Sequence, residues 1–156
     1  MSNELPDVRL KVIGMVRNEF KQSQIKDGWK KVAFENVVSE IVVNPDLSEA
    51  LDGLDEFSHI IVLYWMHKHR PSEPPTKIHP RGNPANPLTG LFATRSPNRP
   101  NPMGKATVKV LQRRDNILTV EGLDAIDGTP VIDIKPYIPG YDSAANARVP
   151  QWMTMD

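Results

Sequence analysis

Nine of the chain's fifteen prolines fall between Pro71 and Pro102. Proline lacks a backbone donor and fixes φ, so helix is excluded through most of this stretch. The residue before each proline is pushed toward extended backbone as well. Arg81-Gly82 and Asn-Pro pairs at 83–84, 86–87 and 101–102 add turn chemistry. A connection this long inside a compact domain is either functional or disordered. The framework must therefore come from the residues on either side of it.

Those flanking residues read as strands. Val8 to Val16 is apolar and broken by Gly14, a strand with a bulge or close approach at the glycine. Asn18 to Trp29 is polar and aperiodic, a loop. Lys31 to Val43 is rich in β-branched residues and reads as strand. Asn44-Pro45 is a turn, and Asp46 or Ser48 caps a short helix over Leu47 to Leu54 that stops near Gly53. Ser58 to Met66 is apolar on both faces and belongs in the middle of a sheet. Leu88 to Thr94 is a short strand within the proline-rich segment. Ala106 to Leu111 and Ile117 to Leu123, joined across Arg113 to Asn116, form a hairpin. Asp127-Gly128 is a second hairpin turn leading to a strand at Val131 to Ile134. The tail from Pro136 is irregular, with Trp152 as an anchor against the body. The sum is all-β: one domain over 1–156, six or seven strands in a sandwich or barrel, a long proline-rich loop and at most short helices.

Composition narrows the chemistry. There is no cysteine, which excludes a thiol nucleophile, a disulfide scaffold and a Cys-ligated zinc site. No apolar h-region opens the chain, and the longest apolar run, Ile60 to Met66, is too short to span a bilayer. A cytoplasmic location without membrane association is the expectation. The formal net charge is zero, against a general nucleic-acid binder. The distribution says more. From His67 to Lys105 lie Lys68, Arg70, Lys77, Arg81, Arg95, Arg99 and Lys105 against a single acid, Glu73. The stretch is a basic patch or a solvated basic loop.

Three clusters carry possible chemistry. The first is the run from Gly90 to Gly104, GLFATRSPNRPNPMG. Its X-Pro bonds stiffen the backbone, and Arg95 and Arg99 on that frame suit a phosphate, a carboxylate or an aromatic face. Ser96, Asn98 and Asn101 add short hydrogen-bonding groups. The competing reading is a proline-braced crossover whose arginines bond loop carbonyls. The second cluster is histidine: His67 and His69 share a strand face, with His79 or Glu73 as a third group. That is a weak metal signal, and no metal is expected. The third is LDAIDGTPVIDIKPY, 123–137, where Asp124, Asp127 and Asp133 could meet a cation or a ribose hydroxyl. Asp133 and Lys135 on one strand face suggest a paired, partly buried site. There is no P-loop, catalytic serine or GxGxxG.

The run at 90–104 and DGTPVIDIKPYIP at 127–139 resemble the signatures of the TrmO (TsaA-like) family, with echoes in IGMVR at 13–17 and GLDEFSH at 53–59. The resemblance implies a β-barrel that uses S-adenosylmethionine (SAM) to methylate N6 of threonylcarbamoyladenosine beside a tRNA anticodon, working as a homodimer. Carried over position by position, it implies cofactor contacts at Lys26, Asp27 and Gly28, at His67 and Lys68, at Arg95, and at Asp124, Ala125, Ile126 and Asp127. Beyond what the resemblance implies, the chemistry suggests that Arg95 and Arg99 hold cofactor carboxylate or RNA phosphate, and that Asn98 and Asn101 bond the base edge or brace the loop. Lys135 is a candidate substrate contact, and Asp133 is the candidate base with Tyr137 as a hydrogen-bonding or stacking partner. The chain ends at Asp156, which reads as a short form without an additional C-terminal domain. Three alternatives stay open: a SAM methyltransferase for another nucleoside or small molecule, a non-catalytic module that binds SAM or RNA, and a His-ligated metal hydrolase.

Overall fold

The computed structural model describes residues 4–20, 34–68 and 73–154. Six strands form a closed barrel: β1 (Gly14–Arg17), β2 (Val38–Val43), β3 (His59–Trp65), β6 (Met103–Arg114), β7 (Ile117–Glu121) and β8 (Pro130–Pro136). The ring order is β1-β2-β7-β6-β3-β8, and every pair is antiparallel. A two-residue pair, β4 (Lys77–Ile78) with β5 (Thr89–Gly90), lies within the proline-rich segment. Two four-residue helices follow the barrel, α1 (Pro139–Asp142) and α2 (Gln151–Thr154). The all-β barrel, the long proline-rich loop and the short helices are as the sequence reads. Among the described residues no helix is long and apolar enough to cross a membrane.

Period-two patterning turns one face of each strand inward. Along β6, Gly104, Ala106 and Val108 are buried while Lys105, Thr107 and Lys109 are exposed. Ile41, Ile60, Val62, Leu118, Val120 and Val131 fill the interior with almost no exposure. Burying each such side chain contributes about 1.5–3 kcal/mol. β3 runs between β6 and β8, the central position that its apolar run required.

Several sequence expectations shift. The first strand starts at Gly14, not Val8. Val8, Leu10 and Val12 are exposed, because ladder pairing begins only at Gly14. Residues 31–33 lie outside the described residues, and a 3₁₀ turn at Phe34–Asn36 precedes β2. The helix expected at Leu47 to Leu54 is a 3₁₀ helix over Pro45–Leu51. Its cap is Asn44, whose side chain accepts from the Asp46 amide. The short strand at Leu88 to Thr94 reduces to β5, followed by a 3₁₀ turn at Leu91–Ala93. Asp127-Gly128 is a turn, with Gly128 at φ 82°, but no hairpin. It joins β7 to β8, which are not neighbours, and bonds back to β1 through the Gly128 amide and Val16 carbonyl.

The register fixes which connections share an end. β1, β3 and β7 finish at the end where β2, β6 and β8 begin. The connections 18–37, 66–102 and 122–129 therefore all open on one rim of the barrel. The opposite rim carries 44–58 and the tight turn at Asp115-Asn116.

Gly14 is required by close approach. A Cβ there would sit 2.6 Å from the Val42 carbonyl oxygen, and backbone cannot yield as a side chain can. Gly14→Ala is expected to lower stability by about 1–3 kcal/mol, read by urea denaturation of both proteins.

Candidate functional site

At the rim shared by the three long connections lies a cavity of about 560 Å³. Tyr64 and Met66 from the end of β3, Met103 to Lys105 from the start of β6, and Asp124 line it. Arg95, Pro97, Arg99 and Asn101 from the 90–104 run close its other side. A second cavity, about 730 Å³, adjoins it and shares Arg95 and Pro97.

Tyr64 organises the first cavity. It pairs with Gly104 across β3 and β6, and its ring occupies the space a Cβ at 104 would need, 2.3 Å from the ring carbons. The hydroxyl donates to Asp124 Oδ1 at 2.6 Å. Tyr64 is buried, and burial raises its phenol well above the ordinary tyrosine range. The Asp124 charge and the hydrogen bond add to that shift, while Arg95 acts in the opposite direction. The phenol therefore stays a donor to the carboxylate throughout the neutral range.

Asn18, just past β1, holds the segment that carries Asp124. Its side-chain amide donates to the Ala125 carbonyl at 2.9 Å and to Ser39 Oγ at 3.0 Å. Its own amide donates to Asp127 Oδ1 at 3.0 Å. Ala125 and Ile126 are buried, so their side chains anchor the segment in the barrel. Neither Tyr64 nor Asn18 was singled out from sequence. Tyr64 looks like core in an apolar run, and Asn18 looks like loop. Only the barrel closure brings them to the aspartates.

The two arginines of the 90–104 run divide their work. Arg99 Nη1 donates to the Thr94 and Ser96 carbonyls, both at 3.0 Å, and its guanidinium lies 5.9 Å from the Phe92 ring centre. That is the loop-bracing arrangement, although Arg99 also lines the cavity. Arg95 is exposed and makes no hydrogen bond or ion pair among the described residues. Asn101 lines the first cavity. Asn98 is exposed, with its amide on Ser96 Oγ. The Met66 amide donates to the Pro102 carbonyl at 2.7 Å and ties the run to β3.

The remaining expected site residues spread out. His67 and Lys68 follow Met66 but do not line the cavity. Lys26, Asp27 and Gly28 lie outside the described residues. Asp133 and Lys135 do pair, at 2.9 Å, but on the outside of β8, with side chains 44% and 59% exposed. Tyr137 stacks edge-on against His59 at the far end of β3, opposite the cavity. The structure thus does not bring Asp133, Tyr137 or Lys135 to the cavity. Bulge geometry at Leu63/Tyr64 keeps Val131 inward opposite Tyr64 and turns Asp133 out with Leu63. Among the described residues no three His, Cys, Asp or Glu side chains group as metal ligands. His79 Nδ1 is on the Asn86 carbonyl at 2.8 Å.

The family model described as tRNA-methyltransferase O N-terminal domain matches residues 17–143, most of the barrel and every described wall of the first cavity. The chain belongs to the TrmO_N family. An Archaeoglobus fulgidus protein named "S-adenosyl-L-methionine-binding protein" is 42% identical over 133 residues, 85% of this chain and 91% of that one. A Methanothermobacter thermautotrophicus protein named "Probable S-adenosyl-L-methionine-binding protein" is 43% identical over 137 residues, 88% of this chain and 95% of its own. The crystal structure of TrmO from Pseudomonas aeruginosa superposes with a TM-score of 0.73 at 31% identity. It covers 93% of this chain, and this TrmO_N chain spans 62% of the length of that one.

The Tyr64–Asp124 contact has a pH signature. The folded phenol titrates above its unfolded value, so its contribution is present below about pH 10 and is lost as pH rises further. Tyr64→Phe is expected to cost about 1.5–3 kcal/mol near neutrality. Its stability should then fall less steeply than wild type above about pH 10, as followed by denaturant melts across the alkaline range.

Proposed function

We propose that this chain is a SAM-dependent methyltransferase acting in the cytoplasm on N6 of threonylcarbamoyladenosine in tRNA, as a homodimer. The observation that carries the cofactor part is the meeting of Arg95 with Asp124 and Tyr64 at one cavity, from segments about thirty residues apart in the chain. The residues suit SAM. Arg95 is a guanidinium for the cofactor's carboxylate. The Asp124 carboxylate, fixed by Tyr64, stands in the same cavity. The thioether side chains of Met66 and Met103 offer polarisable walls. Relatives named as SAM-binding proteins and the family's description support the same reading.

When bound, SAM supplies a methyl carbon that bonds to the N6 lone pair while its bond to sulfur breaks and the electron pair stays on sulfur. Positioning then does most of the work, since near-attack alignment is worth up to about 7–11 kcal/mol. The braced 90–104 run gives that alignment a stiff wall. Tyr64 holds Asp124 by Oδ1, and Oδ2 is the atom assigned to take the N6 proton. This assigns to Asp124 the role that sequence reasoning gave to Asp133. The basic stretch from Lys68 to Lys105 supplies phosphate contacts in a chain whose remainder is net negative.

Calorimetry with SAM is expected to give clear binding to wild type. Arg95→Ala should weaken it about tenfold or more. Absence of binding to wild type would sink the reading. With tRNA from cells lacking the protein, Asp124→Asn is expected to lose about 10²–10⁴-fold in single-turnover methyl transfer. Asp133→Asn should stay near wild type, and the reverse pattern would return the base to Asp133. A wild-type chain that binds SAM but transfers no methyl to any tRNA would leave a binding module.

A further inference from the structure

The second cavity is different in kind from the first. Its walls include Phe92, Trp152, Val149 and Met153, with Arg81 and Arg95 among its charged residues. Phe92 is 79% exposed, an aromatic ring left out of the core. Val149 and Met153 are exposed as well. Among the described residues no acidic side chain lines the space. The first cavity, by contrast, holds Tyr64, Asp124, Lys105 and Asn101.

We infer that the second cavity is the acceptor-base pocket, in which a purine base of RNA stacks against Trp152 and Phe92, and that the C-terminal segment 149–153 is its specificity wall. The inference rests on the methyltransferase reading and deepens it. Three observations lead to it. Methyl transfer needs the reacting atoms about 3–3.5 Å apart, so the acceptor must occupy space continuous with the cofactor's. The second cavity meets the first at Arg95 and Pro97. Its chemistry also fits: aromatic and apolar faces accept a planar base, while arginines face the anionic sugar-phosphate. The wall itself comes from the tail. Residues 149–153 lie beyond the 17–143 span that the family model matches. The tail can therefore set which base or modification enters, while the matched barrel keeps the cofactor contacts.

The test uses the full-length chain and two probes, S-adenosylhomocysteine and a short oligoadenylate. Trp152→Ala and Phe92→Ala are expected to bind S-adenosylhomocysteine like wild type by calorimetry. In its saturating presence, each should bind oligoadenylate about tenfold or more weakly. Trp152→Phe should restore most of the loss, since stacking needs a ring and not an indole. Circular dichroism of each variant checks the fold, and Phe92 keeps the test usable if Trp152→Ala disturbs the tail. Unchanged oligoadenylate affinity in both variants, or no oligoadenylate binding to wild type, would overturn the inference. Loss of S-adenosylhomocysteine binding in Trp152→Ala would also overturn it, by putting the cofactor's own base in this cavity. A wild-type chain that binds no S-adenosylhomocysteine removes the methyltransferase reading instead, a separable outcome.

Discussion

Two residue pairs, Gly14 with Val131 and Met15 with Pro130, close the ring between β1 and β8. Hydrogen bonds from the Ile13 and Val16 amides to the Val131 and Thr129 carbonyls extend the join. The closure is short, yet the rest of the molecule depends on it. An antiparallel ring returns the chain to the same rim after every second strand. Closure places the connections after β1, β3 and β7 around one opening instead of along an open edge. The basic, proline-rich connection is one of the three. A chain with no net charge thereby concentrates positive groups over one mouth.

Within that mouth the polar groups are fixed by partners deeper in the barrel. Asn18 ties Ser39 on β2 to the segment carrying Asp124. Tyr64 reaches the same aspartate from β3. Arg99 serves the loop's own carbonyls, which leaves Arg95 as the exposed guanidinium at the boundary of two cavities. Asp124 is thereby preorganised, held by the Tyr64 hydroxyl and by the segment that Asn18 fixes.

Local pattern made much of this legible. The β6–β7 hairpin, the central place of β3 and the absence of long helices all follow from alternation, β-branching and proline. The 90–104 run was readable as a stiff basic loop because its constraints are covalent and local. What sequence could not supply was register. Asp133 and Asp124 look alike as acids near a turn, but a bulge beside Tyr64 sends one outward and the barrel rim takes the other. The Asp133–Lys135 pair forms on one half-exposed face as expected, but away from the cavity, since spacing along a strand says which residues share a face and not what that face meets. Tyr64 was hidden inside an apolar run that reads from sequence as core. The stretch Val8 to Val12 has the apolar pattern of a strand, yet among the described residues no strand pairs with it.

The fit of Tyr64 over Gly104 has a consequence for how sequences of this kind can drift. With the tyrosine in place, any side chain at 104 collides with the ring. With the glycine in place, a smaller residue at 64 leaves a void under the carboxylate it was holding. Position 104 is thus held by the tyrosine, and position 64 accepts only a residue that keeps the ring. Two codons forty positions apart are therefore read together, and a library that varies them one at a time would miss the combinations in which both change.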